Sequence, residues 1–201
     1  MDDILHEFQG LPIPILSEHH LWSLNLGILD SEIEEAVFQM GPHKALGPDG
    51  IPVCFFQQFW DVVKINGCNA VQAFSHSGSL LKALNQTFIT LILKISHPEE
   101  FSHFRPISLC NVIYKIISKV LVNRLKPIMD SIITPYQNTF IKGRNIYDNI
   151  LLAHEIIDVV RKKRGRRDRF GVLKIDMSKA YDRVNWNFLK AVLLAMNFDS
   201  K

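Results

Sequence analysis

Residues 171 to 196 read GVLKIDMSKAYDRVNWNFLKAVLLAM. Val172 to Ile175 is a short apolar run that predicts a buried strand, and Asp176 places a carboxylate at its end. Met177-Ser178-Lys179 follows as a polar turn, and Tyr181 stands five residues past the aspartate. Trp186, Leu189, Leu193 and Met196 then recur at helical spacing. Two readings of this pattern stay open. Aspartate is common where a strand enters a turn. A carboxylate at a strand tip with an aromatic close behind also suits a metal site that positions a nucleotide, because Mg²⁺ takes hard oxygen ligands and is often held by one or two carboxylates plus substrate phosphates.

Working outward, the segment just before this stretch carries most of the chain's charge asymmetry. Residues 161 to 169 read RKKRGRRDR, seven basic residues and one acidic one, in a chain whose net charge is only +3. The remainder is therefore net negative, and the basic character is one cluster. Arg161, Lys162, Lys163, Arg164, Arg166 and Arg167 are candidate nucleic-acid contacts; a solvated loop and a targeting patch are the competing readings. Gly165 predicts a turn back toward Val172. Residues 145 to 160 predict a helix with Ile146, Ile150, Ala153, Ile157 and Val160 as its apolar stripe, and residues 135 to 144 a polar, extended stretch.

Further upstream, residues 110 to 126 predict a helix with Ile113, Ile116, Ile117, Val120 and Leu121 inward and Lys115, Lys119, Arg124 and Lys126 on other faces, solvated or tracking phosphates. Residues 88 to 95, FITLILKI, read as a strand, and Arg105-Pro106-Ile107-Ser108 as a second extended piece, since Pro106 biases Arg105 away from helix. Together they suggest an antiparallel pair presenting Lys94 and Arg105. Such a pair suits a triphosphate, the planar arginine fork beside a lysine point charge, but two solvated surface charges would look the same.

In the first half, Ser31 and Glu34 have capping-box spacing ahead of Ile33, Ala36, Val37 and Met40, and Gly41-Pro42 stops that helix. Residues 44 to 52, KALGPDGIP, form a turn-rich loop in which Gly47 and Gly50 permit unusual backbone angles; it is either a tight connection or an approach to nucleic acid. Residues 53 to 65 predict a helix with Phe56, Phe59, Trp60 and Val63 on one face, more in keeping with a core than with base stacking. A separate helix is predicted over residues 68 to 74, ended by the Ser-Gly-rich stretch 75 to 79.

The bulk properties exclude several classes. A hydrophobic fraction of 47% is ordinary for a folded chain of 201 residues, with one or two domains. Cys54, Cys68 and Cys110 are scattered and odd in number, which fits a reducing compartment better than a disulfide framework. No apolar run suffices to span a bilayer, and the start, MDDILHEF, lacks the basic and apolar regions of a signal peptide. The expected location is intracellular, nuclear or cytoplasmic, not secreted and without a membrane partner.

The run KIDMSKAYDRVNWNFL closely resembles the first catalytic motif of LINE-type reverse transcriptases, encoded by non-LTR retrotransposons, and looks most like the plant versions. KALGPDGIP, NQTFITLILK (85–94), FRPISLCNVIYKIISKVLVNRLKPI (104–128) and PYQNTFIKGRNIYDNILLAHE (135–155) resemble further motifs of that family and come in its order. The resemblance runs from about Asp30 to the C-terminus. It implies an α+β fold, the fingers and partial palm of a right-hand polymerase, truncated before the second catalytic motif. The division it implies is an N-terminal extension over 1–43, a fingers-like region over 44–170 with the basic loop at 161–169, and the start of the palm over 171–201.

The resemblance also implies roles. Asp176 would be the catalytic carboxylate and a metal ligand, helped by the carbonyls of Ile175 and Met177. Lys94 and Arg105 would grip the nucleotide's phosphates, with Leu93 standing where the family usually has proline. Tyr181 would be the aromatic gate under the sugar, whereas Asp182 is better read as a structural partner for a base such as Arg183. Gln137, Phe140, Gly143 and Arg144 would shape the template and primer side, with Asn138-Thr139 replacing the family's usual Ser-Ala. The implied cofactor is Mg²⁺, because paired ions can stabilise both the attacking and leaving oxygens of nucleotidyl transfer. The implied partners are an RNA template, a DNA primer and a dNTP; the oligomeric state is open. The family's later Asp-Asp pair has no counterpart, since the only adjacent aspartates are Asp2-Asp3. The expectation is thus a reverse transcriptase fragment inactive alone, with weak or absent Mg²⁺ binding. The alternatives are a non-catalytic nucleic-acid-binding remnant and an unstable pseudogene product.

Overall fold

The computed structural model describes residue 8 and residues 10–162, 171–175 and 183–200. They form two compact units, one of Leu24–Leu125 and one of Met1–Ser23 with Lys126–Ser200. Helix α1 (Glu18–Asn25) buries no residue.

The unit of residues 24–125 is built on helices α2 (Asp30–Phe38), α3 (Val53–Gln58), α4 (Trp60–Ser77) and α5 (Val112–Leu125) and on a ribbon of β1 (Thr87–Leu93) and β2 (Phe104–Cys110). The expected apolar face of α2 is the centre of its core: Ile33, Ala36, Val37 and Met40 are buried against Val53, Phe56, Trp60 and the inward face of α5. The helix starts one residue before Ser31. Its cap is not the Ser31–Glu34 box, because the Glu32 carboxylate accepts from the Leu29 backbone N–H at 2.9 Å, at an earlier register.

Two helix boundaries differ from the sequence expectation. Residues 53–65 are not one helix: the chain turns at Phe59, whose φ of −111° and ψ of 28° close α3 and open α4. The break leaves Phe56 and Trp60 in the core and Phe59 exposed. Conversely, α4 continues from Trp60 through Gly67 to Ser77 without the expected gap, and ends where Gly78 adopts a left-handed φ of 67°. Gly67 is buried on this helix, and its poor helix propensity does not break it. On α5, Val112, Ile113, Ile116, Ile117 and Val120 are buried as the period predicts, but Leu121 is exposed.

Arg124 takes the inward position that Leu121 does not. Residues 113, 117, 120 and 124 share one helical face, so Arg124 extends the buried stripe rather than the solvated side. All five of its N–H groups are engaged. Nε and Nη2 donate to the two Glu32 oxygens at 2.9 and 2.8 Å, Nη1 donates to the Leu24 and Leu26 carbonyls at 3.2 and 2.5 Å, and Nη2 also donates to the Gly27 carbonyl at 2.8 Å. This fixes the segment entering α2 to the end of α5.

The register of β1 and β2 is antiparallel, from Thr87 opposite Cys110 to Leu93 opposite Phe104. Branched residues dominate β1 and favour the extended state. Every residue of β1 is nevertheless exposed, so the ribbon stands clear of the core.

The other unit contains α6 (Met129–Ile132), α7 (Ile146–Lys162) and α8 (Trp186–Ala195). Ile128, Ile132, Ile141 and Ala191 are buried, the Phe8 and Phe188 rings meet edge-on at 5.7 Å, and the Leu16 N–H donates to the Met196 carbonyl at 3.0 Å. Asn185 caps α8 by accepting from the N–H groups of Asn187 and Phe188. Three apolar stretches lie uncovered, among them residues 172–175, for which the sequence predicts a buried strand. The stripe of α7 exists, but α7 buries no residue. Trp186, Leu189 and Leu193 on α8 are exposed. Residues 172–175 are exposed and form no strand; β1–β2 is the sheet among the described residues. The physical reason is common to all three: an amphipathic face or strand is buried only by a partner, and none of the described residues covers these. Among the described residues no helix is long and apolar enough to cross a membrane.

Removing the Arg124 side chain strands three carbonyls and Glu32 at once. Arg124→Ala should destabilise the 24–125 unit by about 3 kcal/mol, read as a lower urea midpoint. The Arg124 hydrogen bonds hold the Glu32 carboxyl below its ordinary value of 4.5, against partial burial, which raises it. A depressed carboxylate contributes stability that is present above the unfolded value and lost as pH falls through the lower folded value. Urea midpoints measured across acid pH should therefore fall below about pH 4.5, and Glu32→Gln should flatten that part of the profile while lowering stability at pH 7.

Candidate nucleotide and nucleic-acid site

The ribbon carries the two expected phosphate-binding cations. Arg105 lies opposite Ile92, and Lys94 follows Ile92 by two residues, so strand alternation puts both on one face. The Lys94 N–H continues the ladder by donating to the His103 carbonyl at 2.8 Å, and its ammonium donates to the Ser102 carbonyl at 2.9 Å. That bond leaves two ammonium donors. Arg105 is exposed, and its guanidinium makes no hydrogen bond to another described residue. Both charges sit where the strands give way to the connecting turn.

The base of the ribbon is fixed by a residue that pattern reading passed over. Asn111 joins β2 to α5 and is 2% exposed. Its amide nitrogen donates to the Ala83 and Leu84 carbonyls at 3.1 and 3.3 Å, just before β1. Its Oδ1 accepts from the Asp49 N–H at 3.2 Å, inside the 44–52 loop. The loop reaches Asn111 because Gly47 has no side chain: a Cβ there would stand 2.5 Å from the Asn111 backbone N and 2.6 Å from the Cys110 carbonyl carbon, and would also strike Asn111 Oδ1. Gly47 is therefore required for space, and only Gly50, at φ 67°, for its angle. The Lys115 ammonium donates to the Ala45 carbonyl at 2.6 Å, holding the same loop from α5. In geometry, this loop is a tight connection.

Residues 135–144 make a set of turns rather than an extended stretch. Asn138 is buried and donates to the Asn145 carbonyl at 2.8 Å and to Asn149 Oδ1 at 3.0 Å, so the larger residue found here fits and is satisfied. Gln137 donates to the Thr139 carbonyl at 3.3 Å. Gly143 has φ 83°, and Phe140 has φ 69° and is 87% exposed. Arg144 is turned inward, its side chain 16% exposed and ion-paired to Asp130 at 2.9 Å. Ile175 is exposed. Asp176, Met177, Tyr181 and Asp182 lie outside the described residues. So do Lys163, Arg164, Arg166 and Arg167; of the basic cluster, Arg161 and Lys162 are exposed at the end of α7, Lys162 paired with Asp158 at 2.5 Å. The described residues hold no cluster of three metal-ligating His, Cys, Asp or Glu side chains. Burial, with Asp30 adding to it, pushes the Cys68 thiol up to about 11, so it stays protonated.

Comparison with known proteins identifies the class. Residues 93–201, over half of the chain, match the family described as "Reverse transcriptase (RNA-dependent DNA polymerase)", and the chain belongs to it. It is also 30% identical over 186 residues to the "Transposon TX1 uncharacterized 149 kDa protein" of Xenopus laevis, an alignment covering 92% of this chain and 14% of that protein. The mixed helix and strand architecture is consistent with a polymerase-like fold.

Missing from the sequence reading were the structural parts of Asn111, Arg124 and Arg144. Only Arg124 had a signal, its spacing on the buried stripe. Gly47→Ala should force the 44–52 loop off Asn111 and cost about 2 kcal/mol or more, and Asn111→Ala should cost about 2 kcal/mol by leaving buried backbone groups unpaired. Thermal unfolding of both variants checks this. The two losses should be less than additive, because they break one junction.

Proposed function

We propose that this chain provides the fingers and the start of the palm of a right-hand reverse transcriptase of the plant LINE type, from a non-LTR retrotransposon. The observation that carries the reading is the run of five motifs in family order, joined to a family match over 93–201. The division by role is an extension over 1–43, fingers over 44–170 and early palm over 171–201. In this reading Lys94 and Arg105 bind the triphosphate of the incoming dNTP, Tyr181 lies under its sugar, and Asp176 is the catalytic carboxylate. Asp176, with the carbonyls of Ile175 and Met177, offers hard oxygen donors that suit Mg²⁺, which would supply charge stabilisation at the phosphates. Gln137, Phe140, Gly143 and Arg144 shape the template and primer side, and the basic cluster from Arg161 to Arg167 contacts an RNA template or DNA primer. A nuclear or cytoplasmic site of action follows from that substrate.

Residues 1–201 by themselves contain one carboxylate of the expected set and no later Asp-Asp pair. We therefore expect them to bind Mg²⁺ weakly and to show no primer extension on an RNA template. Extension that disappears in Asp176→Asn would overturn this. If the same residues act as a nucleic-acid-binding remnant, replacing Arg161, Arg164, Arg166 and Arg167 by alanine should weaken RNA binding and flatten its salt dependence, by about 0.7 in slope for each single-strand phosphate that is no longer neutralised. Absence of RNA binding at low salt would remove that reading.

One structural observation favours a second reading. The apolar faces of α7 and residues 172–175 are exposed, so the isolated 201 residues are inclined to self-associate. Sedimentation that stays monomeric through the micromolar range, together with a cooperative melt, would count against it.

A further inference from the structure

Arg144 has five N–H donors, and every one is engaged within the protein. Nε and Nη2 donate to Asp130 Oδ1 at 3.2 and 2.9 Å, Nη1 to the Thr134 and Gln137 carbonyls at 2.5 and 2.7 Å, and Nη2 also to the Ile133 carbonyl at 3.2 Å. An arginine that grips phosphate needs free donors in its planar fork. This one has none, and its side chain is largely buried.

The loop it holds does something costly. Phe140 stands at φ 69°, a left-handed angle that is an outlier for a bulky residue. Such a conformation persists only where the surroundings over-determine it. Here Asn138 and Ile141 are buried on either side, and Arg144 ties down the carbonyls of Thr134 and Gln137 and, through its own N–H, that of Ile141 at 3.4 Å. The outcome is an aromatic ring almost wholly in solvent. Strain that exposes an apolar ring stabilises nothing in the unit that contains it, whereas an exposed ring on a rigid loop is what a nucleobase stacks on.

We propose that Arg144 is a positioning residue: its saturated guanidinium clasps the 133–144 loop and holds the Phe140 ring outward as a stacking platform for an unpaired base of a single-stranded nucleic acid. The inference rests on the nucleic-acid reading given above, and it assigns the contact at this loop to stacking instead of charge.

The test measures binding of a 12-nucleotide oligoadenylate RNA by fluorescence anisotropy over a range of salt, with thermal melts and amide exchange of each variant. Phe140→Gly relieves the angle and deletes the ring. It should weaken binding about 5- to 160-fold, the equivalent of about 1–3 kcal/mol for one stacked base, with an unchanged salt slope and no fall in melting temperature. Arg144→Lys keeps the charge and loses the fork. It should weaken binding to a similar degree, again without changing the slope, and speed amide exchange over residues 134–144. The double variant should bind no more weakly than the worse single one. Full affinity in Arg144→Lys, or a slope lower by about 0.7 in Arg144→Ala, would make Arg144 a phosphate contact and overturn the proposal. If the unaltered chain binds and Phe140→Gly binds equally well, this inference fails while the nucleic-acid reading stands. No binding by the unaltered chain at low salt overturns both.

Discussion

The carboxamide of Asn111 is the constraint on which the site-bearing half of the structure depends. One buried side chain joins three pieces of chain that are far apart in sequence: the 44–52 loop, residues 83–84 and the junction of β2 with α5. The exposed ribbon gains nothing from apolar burial along β1, so its direction must come from its base. Asn111 supplies that base with both kinds of hydrogen bond an amide can make, donating to carbonyls on one side and accepting an N–H on the other. An aspartate or a leucine of similar size would satisfy one side or neither, and the unpaired groups would be buried. The close approach at Gly47 belongs to the same constraint, because the Asp49 N–H comes within reach only when the loop backbone lies against residues 110–111.

Arginines in this chain divide by what their donors are doing. Arg124 and Arg144 each use all five on protein acceptors, mostly backbone carbonyls left over where helices and turns end. A guanidinium suits that task because its fork reaches several acceptors while staying charged, and each charge-assisted bond exceeds a neutral one. Arg105, in contrast, is exposed, and its guanidinium is unbonded among the described residues. Positive charge that serves the fold and positive charge that makes no bond within the described residues are thus carried by different residues, and local sequence does not separate them. The Arg144 motif match and the Arg144 geometry agree on the place of this residue in the chain and differ on how it would act.

The elements of the 24–125 unit were largely legible because periodicity reports burial where a partner is present. Ile33, Ala36 and Val37 on α2, and Ile113, Ile116 and Val120 on α5, were readable for that reason; the β1–β2 pairing with Lys94 near its turn was readable instead from branched residues and Pro106, since β1 is exposed throughout. The break at Phe59 was not legible: apolar residues continue straight through it, and a change of backbone angle at one residue leaves no trace in the pattern. The continuity through Gly67 was hidden for the opposite reason, since a glycine of poor helix propensity reads locally as a break while the helix around it is held by its buried residues Trp60, Cys68 and Val71. For the candidate site, motif order located Lys94, Arg105 and the 137–144 stretch. It gave no access to donor counts or to the left-handed angle at Phe140, which exist only once the turns are formed. Asp176 and Tyr181, legible as a motif, lie outside the described residues, and their roles remain proposals.

Burial is distributed unevenly, and this bears on what each unit can do by itself. Four helices of the 24–125 unit share one contiguous core, and the ribbon rises from it on hydrogen bonds that need nothing further. The triphosphate-binding face proposed for Lys94 and Arg105 therefore sits on a self-supporting frame. In the unit of residues 1–23 and 126–200 the longest described helix, α7, buries nothing, and residues 172–175, which lead into the proposed catalytic aspartate, are exposed and pair with no described strand. A carboxylate that is to act on a nucleotide must be held to within a fraction of an ångström by its surroundings. In the proposed reading, nucleotide and nucleic-acid binding rest on the ribbon and loops of the described residues, and catalysis would call for a partner strand along residues 172–175 and for carboxylates beyond Asp176.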